Sequence, residues 1–176
     1  MTKNTYILLF VLALISCNQG KDSKIDSGNA YFDLQGYFEK EIARLQRLNP
    51  TVSKTVSVNG INESNNVKVA DWKKELAIFA NADINKASWQ GSFTNKKVGS
   101  ADVYSSDSKK IPVKRVYVAK RGSEIQKIEI IIANKNILFQ SNDTLSYYPD
   151  SLYLIKKQQK IRLLNEKKYT ISGKFK

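Results

Sequence analysis

The C-terminal half of the chain places the strongest limit on the fold, because it predicts strand after strand with no helix between them. From Val98 onward, apolar and polar residues alternate with a period of two, and turn residues recur about every ten to fifteen positions. Parallel strands need long crossover connections, which this spacing does not leave room for. The pattern therefore predicts an antiparallel meander and argues against β-α-β units.

Individual strands can be predicted from their alternation. Ile128, Ile130 and Ile132 share one face of a strand, and Ile131 lies on the other. The last strand is expected to point four residues inward, namely Tyr169, Ile171, Gly173 and Phe175. Between these two strands the pattern predicts turns at 148–151 and 165–168 and separate strands at 152–157 and 160–164.

Two helices are predicted before this run of strands. Over 31–48, apolar residues recur every three or four positions, which is typical of a long amphipathic helix, and Pro50 ends it. Gly36 within it costs about 1 kcal/mol relative to alanine, so a close packing partner would explain its presence. A shorter helix is predicted from Trp72 to about Ala82, with Asp71 as its N-cap.

A β-hairpin is predicted between the two helices, over residues 51–69. Asn59 and Gly60 form its turn, since both tolerate the positive φ of a type I′ turn. The returning strand is polar, which favours a sheet edge. The sequence thus predicts one α+β domain over 30–176, in which an antiparallel β-sheet meander carries a long amphipathic N-terminal helix and a shorter second helix packed on one face.

Three aromatic residues near the second helix are candidates for a ligand pocket. Trp72, Trp89 and Phe93 are close in sequence and could line a site for a sugar ring or an acyl chain. Aromatic residues more often fill a core, and the sequence favours that interpretation.

The charge is concentrated in the second half of the chain. Residues 96–176 contain eighteen basic and seven acidic side chains, whereas residues 18–95 contain ten and nine. A basic surface could attract nucleic acid, acidic polysaccharide or anionic lipid. Only three of the eighteen basic residues are arginines, the side chain that binds phosphate through two hydrogen bonds. The favoured interpretation is therefore that the lysines are solvated side chains on the outside of the sheet, and nucleic-acid binding is not expected.

The residue content excludes most catalytic chemistry. Histidine is absent and Cys17 is the only cysteine, which excludes a Ser-His-Asp triad and zinc sites built from His and Cys. A carboxylate-only hydrolase would need two converging acids, and no such pair is evident. Glu129, among isoleucines, is expected to face outward. The sequence therefore predicts a protein that is not an enzyme and has no metal or cofactor, although a hydrolase is not fully excluded.

The N-terminal residues predict export. A charged Lys3 precedes about ten apolar residues, 6–15, which are too few to span a bilayer. Leu14, Ile15, Ser16 and Cys17 together resemble the bacterial lipobox. The resemblance implies a signal peptide over 1–16 and acylation of Cys17. Residues 18–29 are polar, include two glycines and show no apolar period, so 17–29 are expected to form the lipidated cysteine and a flexible tether. Because Asn18 rather than an aspartate follows the cysteine, outer-membrane anchoring is expected, facing either the periplasm or the cell surface.

Two short motifs resemble the acceptor of general O-glycosylation in exported Bacteroidota proteins, an aspartate followed by Ser or Thr and an aliphatic residue. They place candidate modification sites at Thr144 and Ser151. Both motifs also suit ordinary turns.

Two longer stretches, YFDLQGYFE at 31–39 and DWKKEL at 71–76 continuing to DINK at 83–86, resemble a family of uncharacterised Bacteroidota lipoproteins. The resemblance implies an envelope location and transfers no functional residues. We expect an envelope lipoprotein that acts as a non-enzymatic binding or accessory module for another envelope component. The alternative is a carrier or receptor that holds a lipid or other apolar ligand in a cavity between sheet and helices.

Overall fold

The computed structural model describes residues 30–176, which form two α-helices and nine β-strands. The elements are α1 Leu34–Leu48, β1 Thr51–Val58, β2 Ile61–Lys68, α2 Trp72–Ala80, a 3-10 turn Ala87–Trp89, β3 Thr94–Val98, β4 Ala101–Ser105, β5 Val113–Arg121, β6 Glu124–Lys135, β7 Phe139–Tyr148, β8 Leu152–Ile161 and β9 Lys167–Phe175. The predicted signal peptide, Cys17 and the tether lie outside the described residues. Within residues 30–176, no helix is long and apolar enough to cross a membrane.

All nine strands belong to one open antiparallel sheet, so the predicted α+β class with an antiparallel sheet is confirmed. The strand order is β2-β1-β9-β8-β7-β6-β5-β4-β3. Strands β4 to β9 form the meander predicted from Val98 onward, and β3, at Thr94–Val98, adds one strand before it. Strand β2 is a sheet edge as expected. The β1–β2 hairpin pairs with β9, which places the last strand of the chain in the interior of the sheet. The sequence did not predict this pairing.

Helix α1 starts later than its apolar pattern suggests, so the prediction of a long helix from Tyr31 is not confirmed. The helix begins at Leu34, because the Asp33 side chain accepts a hydrogen bond from the Gly36 backbone N–H at 2.8 Å and caps it. A Cβ on Gly36 would collide with this carboxylate, which is the close partner that explains the glycine. The helix ends at Asn49 in the left-handed conformation, with φ 45°.

Helix α2 has the predicted N-cap and ends two residues earlier than predicted. Asp71 accepts a hydrogen bond from the Lys74 backbone N–H at 3.0 Å. This hydrogen bond is the main reason why the pKa of the exposed Asp71 carboxyl is lowered. The predicted hairpin turn is confirmed as well, since Asn59 and Gly60 both have positive φ.

Both helices pack on one face of the sheet. Tyr147 on β7 and Tyr153 on β8 are cross-strand partners and therefore share a face. The Tyr147 hydroxyl donates to Glu41 of α1, and the Tyr153 hydroxyl donates to Glu75 of α2. The core forms where the apolar stripes of the helices meet the inward-facing residues of the central strands, and its fully buried members include Leu34, Phe38, Leu76, Phe79, Val116, Val118, Ile128, Ile130 and Leu145.

One predicted strand boundary was wrong. The segments 152–157 and 160–164 are not two strands, because β8 runs without interruption through Leu152–Ile161. The polar run from Lys156 to Lys160 suggested a break between two strands. The actual turn begins at Arg162, and β9 starts at Lys167.

Candidate functional site

The three aromatic candidates do not line a common pocket. Trp72 is fully buried and its ring stacks on that of Phe175, with centroids 5.8 Å apart. Trp89 and Phe93 form a separate pair at 6.5 Å, and Phe93 packs edge-on against Tyr31. Trp72 and Phe93 thus belong to the core, whereas Trp89 is partly exposed.

The best candidate site is a groove beside α2, on the face of the sheet that carries the helices. Its volume is about 480 Å³. We call it the α2 groove and define it by the residues that line it, which come from β1, α2, β8 and β9: Lys54, Val56, Lys74, Glu75, Ile78, Ile155, Lys157, Gln159, Tyr169 and Ile171. Its size is within the range of small-molecule sites, about 300–1,000 Å³.

The floor of the α2 groove is an apolar row that crosses three strands. Ile171 on β9 pairs with Val56 on one side and with Ile155 on the other, so the three side chains are direct neighbours on one face. Ile78 of α2 is the fourth aliphatic side chain that lines the groove, and it forms a wall beside this floor. Tyr169, two residues before Ile171, extends the same face towards the end of the sheet.

One end of the α2 groove is closed by an ion pair. Glu75 accepts a hydrogen bond from the Tyr153 hydroxyl at 2.5 Å and lies 2.7 Å from the Lys54 ammonium. Burial, together with the hydrogen bond to Glu75, raises the pKa of Tyr153 well above its ordinary value, so this hydroxyl remains a donor. Glu75 thus has two partners, and its negative charge is compensated by Lys54.

Two further lysines give the groove its positive charge. Lys74 on α2 is largely exposed and lies 3.4 Å from the Asp71 cap. Lys157 on β8 is 3.5 Å from Asp143, a buried carboxylate that also accepts a hydrogen bond from the Ser141 hydroxyl. Both contacts are longer than a strong charge-assisted hydrogen bond, about 2.7–2.9 Å. The two ammonium groups can therefore turn towards an anionic ligand.

Two other grooves fit an amphiphilic ligand less well. One of about 470 Å³ adjoins the α2 groove, since Lys74 and Ile78 line both, and Trp89, Val113 and Ile132 line it together with polar side chains. The largest, about 730 Å³, runs between the outer surfaces of α1 and α2 and is lined by mainly polar and small residues: Gln35, Glu39, Ile42, Lys73, Ala77, Ala80, Asn81, Asp83 and Lys86. Of these three grooves in residues 30–176, the α2 groove is the one with an aliphatic floor across three adjacent strands and lysines around it.

The other predicted residues lie on or near the opposite, uncovered face. Glu129 faces outward as expected, 3.1 Å from Arg115 and 2.7 Å from Lys127. Its burial opposes ionisation, but the hydrogen bond and charge of Lys127, with the charge of Arg115, lower its pKa on balance. Thr144 is half-buried in the middle of β7, and Ser151 is exposed in the turn before β8. O-glycosylation at either position stays a prediction.

Sequence reasoning missed the two helix carboxylates that contact the sheet. Glu41 lies on the apolar stripe of α1 between Phe38 and Leu45, and Glu75 is three residues after Trp72. An acid at a core-facing helix position was the available signal. No local sequence pattern identified Lys157 as a groove residue, because the groove also needs strands β1 and β9, which come from opposite ends of the described chain.

The described residues hold no cluster of three carboxylate or cysteine side chains that could bind a metal ion. No protein-family model matches the chain, and searches of curated proteins and of solved structures found no match.

Proposed function

We propose that this protein is a non-enzymatic binding protein of the bacterial envelope, anchored to the outer membrane through an acylated Cys17, and that it holds an anionic amphiphile in the α2 groove. The observation that carries the proposal is the aliphatic floor of Val56, Ile155 and Ile171 beside Lys74 and Lys157. An apolar chain on this floor would remove hydrocarbon surface from water. An acidic head group would be attracted by the two ammonium groups.

A long-chain fatty acid is the simplest probe of this site. The full chain is reconstituted in detergent micelles, and binding is followed by the fluorescence of a fatty acid that carries a reporter group. Val56→Trp fills the floor of the groove and is expected to weaken binding at least tenfold. Ser57→Trp places the same ring on the opposite face of the same strand and is expected to leave the affinity unchanged.

The charge preference is tested with a second matched pair. Lys74→Gln removes a groove cation and is expected to weaken fatty-acid binding by roughly three- to tenfold, about 1 kcal/mol, while binding of the corresponding fatty alcohol changes little. Lys73→Gln, one residue away on the outer surface of α2, is the control. Equal affinities for all four variants, or no saturable binding to the wild type, would refute the proposal.

A further inference from the structure

Apolar side chains project into solvent from two neighbouring turns at one end of the sheet, the β6–β7 turn and the β8–β9 turn. We call this set the tip surface: Ile137, Leu138, Ile161, Leu163 and Leu164. Leu163 is 96% and Ile137 85% exposed. A contiguous exposed apolar patch on a folded protein usually marks an interaction site.

The backbone holds these turns in a defined shape. The Arg162 backbone N–H donates to the Leu138 carbonyl at 2.8 Å, which joins the two turns. The Asn136 side chain accepts from the N–H groups of Leu138 and Phe139 at 2.9 and 2.8 Å. Leu163 has φ 69°, a left-handed conformation in which glycine or asparagine is the more common choice.

The tip surface is surrounded by positive charge. Residues 134–139 and 160–168 contain five cations and a single acid, Glu166, which accepts a hydrogen bond from Gln158. The cations are Lys135, Lys160, Arg162, Lys167 and Lys168. The turns at the opposite end of the sheet differ, since their tips are Gly99–Ser100, Gly122–Ser123 and Asp150–Ser151. The combination of apolar tips and cations thus belongs to one end of the molecule.

We propose that the tip surface inserts into the interfacial region of an anionic lipid bilayer. Apolar side chains that enter the headgroup boundary gain from burial, and lysines and arginines around them contact lipid phosphates. Long basic side chains suit this position because their stems can lie along apolar surface while the charge stays at the headgroups.

This contact also orients the α2 groove. On β8, Ile155, Lys157, Gln159 and Ile161 share one face, so the face that forms the groove continues to the tip surface. A bilayer at the tips would lie at that end of the groove. The bilayer contact does not depend on which ligand the groove holds.

The test places a tryptophan at the tip and measures its depth in a membrane. The full chain with Leu163→Trp is reconstituted into vesicles of phosphatidylcholine, brominated on the acyl chains, with about one-third phosphatidylglycerol. The emission of the wild type, from Trp72 and Trp89, is subtracted. Bromine is expected to quench most of the remaining emission, and the quenching should fall in high salt and in vesicles without phosphatidylglycerol.

Ser123→Trp is the matched control, because it lies in an exposed turn at the opposite end of the sheet. Its emission should be quenched little. Equal quenching of the two variants would overturn the proposal, as would solvent-like, unquenched emission from Leu163→Trp. A third outcome is a blue-shifted, unquenched emission whose blue shift increases with the amount of protein per vesicle. It would mean that the tip surface pairs with a second copy of the chain, and it would also overturn the proposal. Equal quenching in vesicles with and without phosphatidylglycerol would contradict the proposed preference for anionic lipid.

Discussion

Gly173 lies where several side chains would otherwise compete for the same space. It pairs with Lys54 on β1 and with Tyr153 on β8, and both of these contact Glu75 of α2. A Cβ at this position would overlap the Tyr153 ring. The missing side chain therefore lets the tyrosine lie across β9 while the lysine approaches from the other side.

Gly173→Ala is expected to lower the free energy of unfolding by about 1–3 kcal/mol, because the tyrosine ring must move away from the new methyl group. In a Tyr153→Leu background the same change should cost less, since the ring is gone. Urea unfolding of the four proteins measures the difference. Ser172→Ala, on the opposite face of β9, is the control and should stay within about 0.5 kcal/mol. An equal cost in both backgrounds would contradict the steric explanation.

The sequence showed that Gly36 is costly within its helix and placed Gly173 on the inward face of the last strand, but it identified no contact partner for either. Each is a glycine at a position where helix or strand periodicity calls for a side chain. The cause at Gly36 is local, three residues away in Asp33, and capping rules could have suggested it. The cause at Gly173 is Tyr153 on the neighbouring strand, and that contact exists only after the sheet has formed.

Each helix is attached to the sheet by a carboxylate that accepts a hydrogen bond from a buried tyrosine. Glu41 on α1 accepts from the Tyr147 hydroxyl at 2.6 Å and is paired with Arg44, which also contacts Asp150 at 2.7 Å. Glu75 on α2 makes the equivalent contacts with Tyr153 and Lys54. Because each carboxylate has a cation and a hydroxyl as partners, its charge is compensated at the helix–sheet boundary.

These attachments predict a loss of stability at alkaline pH. Burial and the hydrogen bond to Glu41 raise the pKa of Tyr147 well above 10.0, its ordinary value. Below pH 10 both folded and unfolded chains keep the proton. Above it the unfolded chain loses the proton while the folded chain retains it, so the free energy of unfolding falls by about 1.4 kcal/mol per pH unit for this tyrosine.

Tyr147→Phe should remove this contribution and make the pH dependence shallower by that amount. Urea unfolding from about pH 9 to 11 measures the slopes, and the comparison of two proteins cancels the titration of the lysines. Phe79→Leu is the control: Phe79 packs against the same tyrosine but cannot titrate, so it should lower stability equally at every pH. Parallel curves for wild type and Tyr147→Phe would show that this tyrosine is not held neutral by the fold.

For the molecule as a whole, the features that could be predicted from the sequence are those that local residue patterns determine. Strand alternation, the Asn59–Gly60 turn and the cap of α2 depend on residues a few positions apart. The pairing of β1 with β9 joins residues more than a hundred positions apart, for example Val52 with Phe175. Alternation tells which face of a strand is apolar but not which strand is its neighbour. The α2 groove is formed by that pairing, so it could not be predicted either.

The position of β9 leads to a prediction about its dynamics. A terminal strand usually frays, but β9 is hydrogen-bonded to β1 on one side and to β8 on the other, and its Phe175 ring stacks on Trp72. Amide protons of β9 should therefore exchange as slowly as those of β7, whereas those of the edge strands β2 and β3 exchange much faster. Hydrogen exchange followed by mass spectrometry of peptic peptides measures all four strands in one sample, so β2 and β3 serve as internal controls. If β9 exchanged as fast as the edges, the first hairpin would be only loosely joined to the sheet and the floor of the α2 groove would not persist. Slow exchange in β9 together with fast exchange in β2 would instead mean that the floor of the groove is a stable surface inside the β2 edge of the sheet.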